Sequence, residues 1–397
     1  MRQQVRAMNR EVLKRLVNLE EKPMNKEIEK FEHYLNVPVN SLVQQAVADG
    51  RIPIGYSCSF VPEAFLMADK LFPVRLIAPN VAGTEVADNY LSSLVCSYVR
   101  SILEFATDGQ YDEIRGLVFV PSCAPMSRLF DNLEYLKKPA FSHVLDVPSK
   151  VSDSAIDWME EELKRLAGKL SSHFGVDMSD AFLMKAIAEW NSYSQVIQSI
   201  GELRNKPNPP ITGAEFHTLL MAFLTSPKDV IMPEILNFKT EIEGRQGAKN
   251  YRARLMLVGG HIGDPEFIKV IESQGGLIVA DRFCTGSIPS ILPIEINGNP
   301  LRTLASHALK KTRCPRMMED FNERLSTVIK TVKEYNVDGV IIEIVKFCDL
   351  WGVDVMTLMK ALREEGIPVL RLEREYRLSS EGQLSTRVQA FLESMGK

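Results

Sequence analysis

The sequence predicts an α/β protein with two parallel-sheet lobes joined by a helical insert. Three observations lead to this prediction. Short apolar runs recur with helical stretches between them, which is typical of parallel strands joined by crossover helices. Residues 151–248 are instead almost pure helix. The runs after the insert repeat the layout of those before it, as duplicated lobes would.

Each lobe has four strand candidates. In the first lobe they are IPIGYS (52–57), PVRLIA (73–78), GLVFVP (116–121) and AFSHVLDV (140–147). In the second lobe they are ARLMLVGG (253–260), GLIVAD (276–281), DGVIIEIV (338–345) and IPVLRLE (367–373). We therefore expect two Rossmann-like lobes. The predicted divisions are 1–150 for an N-terminal helix plus the first lobe, 151–248 for the insert and 249–397 for the second lobe.

The composition predicts a cytoplasmic globular protein. The 397 residues are 45% hydrophobic and 25% charged, with a net charge of −4. This charge does not favour nucleic acid or a membrane surface as a partner. No apolar run approaches the roughly 18 residues of a membrane span. The N-terminal MRQQVRAMNREVLKRLVNLEEK lacks the apolar core of a secretory signal and suits an amphipathic helix.

Four of the six cysteines directly follow strand candidates: Cys58, Cys123, Cys284 and Cys348. Ligands of parallel α/β sheets sit beyond the carboxyl ends of the strands, so these positions favour a shared site between the lobes. Thiolates suit iron–sulfur clusters or zinc, but zinc sites usually use closely spaced cysteine pairs. From the residues alone, a shared metal site and scattered core thiols both stay open.

Three segments resemble the cluster-binding segments of the 2-hydroxyacyl-CoA dehydratase and benzoyl-CoA reductase family: LVCSYVRSILE, VFVPSCAPMSRLFDNLEYL and VIIEIVKFCDLWG. The stretches GYSCSFVPEAFLMADKLFPVRL and LEREYRLSSEGQLSTRVQAFLE are similar to the ends of that family. The resemblance implies that Cys96, Cys123 and Cys348 bind a [4Fe–4S] cluster with one iron position open. The chain departs from the family pattern at Asn80 and Ala124, where acidic residues are common.

The resemblance also implies a function: the iron–sulfur subunit of an ATP-activated, oxygen-sensitive, radical-type enzyme. In that family one low-potential electron passes from the cluster to a CoA thioester, for dehydration by a lyase or for reduction of an aryl- or acyl-CoA by an oxidoreductase. The implied partners are the acyl-CoA substrate, an ATP-hydrolysing iron–sulfur activator, and a homologous second subunit or a second copy. The chain has neither a GxxxxGK[ST] loop nor GxGxxG, so we expect no ATP hydrolysis or NAD binding of its own.

Three other hypotheses stay open. Some members of the family hold a double-cubane [8Fe–9S] cluster with six cysteines and reduce small molecules, which makes Cys58, Cys284 and Cys314 candidates for a second cluster. A non-catalytic electron-transfer subunit is another hypothesis. The last is a binding protein with buried thiols.

Two residues beside Cys58 are candidates for substrate contact or acid–base catalysis, Ser59 and Glu63. Glu63 also suits a structural role at a helix N-terminus, where negative charge is favoured. His261 stands four residues before Pro265, in the way that Cys58 precedes Pro62. It is expected either to face the cleft or to be structural.

Overall fold

The computed structural model describes residues 26–287, 291–311, 314–378 and 381–397. The amphipathic helix predicted within residues 1–22 lies outside these ranges. Within them the chain forms eight strands, in two sheets of four, and thirteen α-helices. The predicted α/β class is confirmed.

The first sheet is entirely parallel, in the strand order β2-β1-β3-β4. Its strands are β1 (Ile52–Tyr56), β2 (Leu71–Arg75), β3 (Gly116–Phe119) and β4 (Ser142–Val144). The helices of this part are α1 (Lys26–Tyr34), α2 (Ser41–Ala48), α3 (Ser97–Thr107) and α4 (Ala124–Leu136). All four strand candidates of the first lobe are confirmed. The last is shorter than predicted, and it is an edge strand that pairs only with β3.

The second sheet repeats this topology, with parallel strands in the order β6-β5-β7-β8. Its strands are β5 (Ala253–Gly259), β6 (Gly276–Phe283), β7 (Gly339–Val345) and β8 (Val369–Arg374). The helices are α9 (Glu266–Ser273), α10 (Pro300–Lys311), α11 (Phe321–Glu334), α12 (Asp349–Glu364) and α13 (Glu381–Ser394). Strands β5, β6 and β7 are buried throughout, as expected for a parallel sheet covered on both faces.

Four helices lie between the two sheets in sequence: α5 (Asp153–Phe174), α6 (Asp180–Glu202), α7 (Gly213–Thr225) and α8 (Lys228–Glu243). Thr212 and Glu215 form a capping box at the start of α7. The side chain of each residue accepts a hydrogen bond from the backbone N–H of the other. Nearly every residue of α7 is buried, and the helix contacts both β2 and β6. It is therefore a core helix between the sheets.

The two halves share a continuous apolar core. Leu76 and Phe119 of the first half pack in one cluster with Val345 and Tyr376 of the second. This packing fixes how the carboxyl ends of the two sheets face each other. In the described part of the chain, no helix is long and apolar enough to cross a lipid bilayer.

Candidate metal centre

A cavity of about 110 Å³ lies between the carboxyl ends of the two sheets. Residues that follow β1, β3, β5, β6 and β7 line it. All six cysteines of the chain are among them: Cys58, Cys96, Cys123, Cys284, Cys314 and Cys348. The cysteines of both halves therefore meet at the edge where parallel sheets bind their ligands.

Three of these cysteines share one local geometry. Cys96, Cys123 and Cys348 each stand immediately before the first residue of a helix, namely α3, α4 and α12. Burial raises the pKa of each thiol, and the backbone N–H of the third residue of that helix offsets part of this rise. The free N–H groups of a helix N-terminus favour negative charge. These positions therefore suit thiolates.

The other three cysteines lie on loops. Cys58 follows β1, and Cys284 follows β6, where its backbone N–H donates to the Gly260 carbonyl oxygen at 2.9 Å. Cys314 lies between α10 and α11. The sequence suggests that Cys314 starts the helix before β7, and this is wrong. That helix begins at Phe321 because turns at residues 315–319 intervene.

The six thiols form two trios by their positions in the fold. The first trio is Cys96, Cys123 and Cys348, each of which stands directly before a helix. The second trio is Cys58, Cys284 and Cys314, which lie on loops. The trios adjoin, since the thiols interact electrostatically between trios as well as within them, and Cys284 interacts more strongly with Cys348 than with Cys58. Each trio takes two members from one half of the chain and one from the other.

The thiols are largely enclosed by protein: Cys96 is buried and the other five are half-buried. Burial raises the pKa of Cys123, Cys284 and Cys348 to about 12, and it raises the pKa of Cys96 and Cys314 as well. At neutral pH these thiols therefore keep their protons unless a cation joins them. A metal centre supplies that cation and displaces the protons.

Buried cationic side chains stand beside the second trio. Arg75 and Arg282 line the cavity and are each 2% exposed. Lys311 is also buried, and its charge interacts with that of Cys58. The charge of Asp349 acts on the first trio. It adds to the rise in the pKa of Cys96, of which burial is the largest cause. The cations would offset the negative charge of a group rich in thiolate and sulfide.

The predicted catalytic candidates separate in the structure. Ser59 lines the cavity, and its hydroxyl donates to the Cys284 carbonyl oxygen at 2.7 Å while it accepts from Arg75 Nη1 at 3.0 Å. Glu63 is buried but is not among the residues lining the cavity. It begins a short 3₁₀ helix, and its carboxylate accepts a hydrogen bond from the Tyr56 hydroxyl. Only Ser59 reaches the site.

His261 is a site residue that the sequence left undecided. It lines the cavity, is 7% exposed, and its ring stacks on Tyr98 with centroids 3.8 Å apart. Neither ring nitrogen has a hydrogen-bond partner among the described residues. Burial, followed by the charges of Arg75 and Arg374, holds the pKa of this imidazole well below 6.5. The ring is therefore neutral.

The turn that presents His261 requires glycine. Gly259 ends β5 with a φ of 153°, and a Cβ atom there would lie 2.0 Å from the Glu343 carbonyl oxygen. The next residue, Gly260, donates its backbone N–H to the Glu343 carboxylate at 3.1 Å. Any residue other than glycine at position 259 would push β5 away from β7. The close approach of Gly259 and Gly260 to Glu343 thus places His261 at the cavity.

The donor set fits a polynuclear group. All six thiols line one cavity. Within the described ranges, no group of three His, Cys, Asp or Glu side chains is arranged to hold a metal ion. Iron–sulfur clusters take one thiolate for each of several irons, whereas a zinc ion gathers four ligands around one point. The residues present therefore fit an iron–sulfur cluster.

A family model described as "2-hydroxyglutaryl-CoA dehydratase, D-component" matches residues 58–395. The chain belongs to that D-component family. The match begins at Cys58, and it covers all six cysteines and every strand except β1. It confirms the family resemblance that the cysteine-containing segments predict.

Curated relatives of the D-component family align with nearly the whole chain. The putative dehydratase subunit YjiM of Escherichia coli (strain K12) is 25% identical over 86% of this chain and 91% of its own length. The (R)-phenyllactyl-CoA dehydratase beta subunit of Clostridium sporogenes is 23% identical over 92% and 97%. The (R)-2-hydroxyglutaryl-CoA dehydratase subunit beta of Acidaminococcus fermentans is 22% identical over 93% and 98%. The similarity therefore extends across both lobes.

Proposed function

We propose that the chain is the iron–sulfur subunit of an ATP-activated enzyme that passes single low-potential electrons to its substrate, and that all six cysteines hold its cluster. One observation carries the proposal: thiols from both halves line one cavity at the carboxyl ends of two parallel sheets. Cysteines present only for core packing would not gather at a ligand-binding edge. Donors that are thiols alone suit iron–sulfur chemistry best.

In this proposal the first trio holds one cubane and the second trio holds another, which gives a double-cubane [8Fe–9S] group. When bound, such a group would supply an electron at low potential. The helix N-termini before the first trio stabilise its thiolates. Arg75, Arg282 and Lys311 offset the negative charge near the second trio.

For the six-thiol form we propose a reductase of small molecules, which is the activity that the resemblance implies for a double-cubane cluster. The observation that favours it is the position of the second trio, which lines the same cavity as the first and adjoins it. Three further thiols at that edge are more than a single cubane uses. The geometry therefore supports this form best.

A second candidate is a [4Fe–4S] enzyme that uses the first trio alone and acts on a CoA thioester. The relatives favour it, since two of them are named as dehydratases of (R)-phenyllactyl-CoA and (R)-2-hydroxyglutaryl-CoA. In this form the chain belongs to a lyase for a 2-hydroxyacyl-CoA, or to an oxidoreductase for an aryl-CoA. The second trio is then structural.

Both forms require partners. The sequence has no phosphate-binding loop, so an iron–sulfur activator protein hydrolyses ATP on behalf of this chain. The naming of relatives as beta subunits supports a homologous second subunit, or a second copy of this chain. We assign the cluster to the junction of lobes 1–150 and 249–397, with 151–248 as the insert. We assign the protein to the cytoplasm, where thiols stay reduced.

Iron and acid-labile sulfide, measured after anaerobic purification and reconstitution, test the proposal. About eight irons per chain support the double cubane and about four support the single cluster. A protein without iron after reconstitution would contradict both. The variants Cys123→Ser and Cys314→Ser form a matched pair. Both should lose iron in the six-thiol form, whereas only Cys123→Ser should do so in the three-thiol form.

The substrate class has its own test. The reduced protein is titrated anaerobically with a panel of CoA thioesters while its visible and electron paramagnetic resonance spectra are followed. A response to a thioester supports the second candidate. A spectrum that ignores thioesters but changes on oxidation by a small molecule supports the reductase. A response to neither class points to a non-catalytic electron carrier.

A further inference from the structure

His261 is a polar side chain at the cavity to which the proposed function gives no role. It is 7% exposed, lines the cavity with the six cysteines, and has no hydrogen-bond partner for either ring nitrogen among the described residues. The ring stacks on Tyr98, and the backbone is held because the His261 carbonyl oxygen accepts from Arg374 Nη2 at 3.0 Å.

An imidazole always carries at least one N–H, whether it is neutral or protonated. A buried N–H without an acceptor destabilises the fold, because it has lost its bond to water and gained nothing in exchange. The fold nevertheless holds this ring firmly beside the thiols. A group bound by the thiols in the cavity that His261 lines would supply the missing acceptor.

We propose that His261 is a positioning residue whose ring N–H donates a hydrogen bond to a sulfur of the iron–sulfur group in the cavity and raises the reduction potential of that group. The inference rests on the proposed function. Reduction adds negative charge to the sulfurs, so a donor aimed at them stabilises the reduced state more than the oxidised state. The effect does not depend on whether the group has one cubane or two.

The test compares His261→Phe with His217→Phe. Phenylalanine at position 261 keeps a flat ring to stack on Tyr98 but removes the donor. His217 is a matched control, since it is a fully buried histidine that is not among the cavity-lining residues. Each protein is reconstituted with iron and sulfide. The midpoint potential is then measured by titration with titanium(III) citrate, and the metal-free form is unfolded in urea.

We expect His261→Phe to bind as much iron as the wild type and to have a more negative midpoint potential, while the His217→Phe potential is unchanged. We also expect metal-free His261→Phe to unfold at a higher urea concentration than the wild type, because its unsatisfied N–H is gone. A purely structural histidine would not produce these opposite effects.

Two results would overturn the inference and leave the proposed function standing. One is a His261→Phe protein with wild-type iron and an unshifted potential. The other is a metal-free His261→Phe protein that is destabilised or does not fold. A wild-type protein that takes up no iron overturns the proposed function instead, and the inference falls with it.

Discussion

The Ser59 hydroxyl donates a hydrogen bond to the carbonyl oxygen of Cys284 over 2.7 Å, although 225 positions separate the two residues. Ser59 belongs to the loop after β1 and Cys284 to the loop after β6. Two cysteine-bearing loops, one from each half of the chain, are thus joined directly. Arg75 strengthens the junction by donating to the same hydroxyl.

Ser59→Ala should lower the free energy of unfolding of the metal-free protein by about 1–3 kcal/mol, because a buried donor of Arg75 loses its acceptor. Urea denaturation under anaerobic conditions measures this. Ser199→Ala is the control, since its hydroxyl bonds only within α6, to the Val196 carbonyl oxygen, and should cost less than about 0.5 kcal/mol. Equal losses in the two variants would refute the junction.

Gly259→Ala should destabilise the protein by more than about 2 kcal/mol or prevent folding. The added Cβ would overlap the Glu343 backbone, and the residue has a φ of 153°. The matched change Gly168→Ala lies in α5, at a site with no atom within 4 Å of the new Cβ. It should stabilise by about 0.5–1 kcal/mol. Thermal unfolding of both variants checks the pair, and a tolerated Gly259→Ala counts against the tight turn.

His217 should make the protein sensitive to mild acid. It is 2% exposed, and burial lowers its pKa from 6.5 to about 4. Below about pH 6.5 the unfolded chain binds a proton that the native state does not. The contribution of His217 to the free energy of unfolding is therefore fully present above pH 6.5. It falls by about 1.4 kcal/mol per pH unit as the pH is lowered to about 4.

Urea unfolding at about pH 7, 6 and 5 measures this slope. His217→Phe should reduce the slope by up to about 1.4 kcal/mol per pH unit, since His261 and His143 also have lowered pKa values and keep their share. A change at the exposed His33, to Gln, should leave the slope as in the wild type. If His217→Phe keeps the wild-type slope, the acid sensitivity has another origin.

The thiols of the metal-free protein should resist alkylation. Burial raises the pKa of Cys123 and Cys348 from 9.0 to about 12, so at about pH 8 the reactive thiolate is about a thousand-fold scarcer than in the unfolded chain. Iodoacetamide labelling read by peptide mass spectrometry should be at least about a hundred-fold slower for the native protein. Equal labelling before and after urea treatment would show that these thiols are already ionised or open to solvent.

Much of the fold could be predicted from the sequence, because its signals are local. Apolar runs of strand length identified all eight strands, and the rule for parallel sheets brought the cysteines that follow strands to one edge. Cys96 follows no strand. It reaches the cavity because α3 packs against α4, and only the family resemblance selected it.

The rest depends on contacts between distant segments. Glu63 is near Cys58 in sequence, yet its carboxylate bonds to Tyr56 and it is not among the cavity-lining residues. The importance of His261 follows from the absence of partners for its ring in the described structure, and no sequence pattern reports such an absence. The meeting of all six thiols at one cavity depends on how the two halves face each other.

Each trio contains cysteines from both halves of the chain, and this limits when the cofactor can be inserted during biosynthesis. A nascent chain that has reached only the helical insert displays two members of the first trio, Cys96 and Cys123, and one of the second, Cys58. The remaining members emerge much later, and Cys348 is the last. Any cofactor that spans both trios can therefore be inserted only when the ribosome has nearly finished, and its arrival locks together two halves that were made at different times.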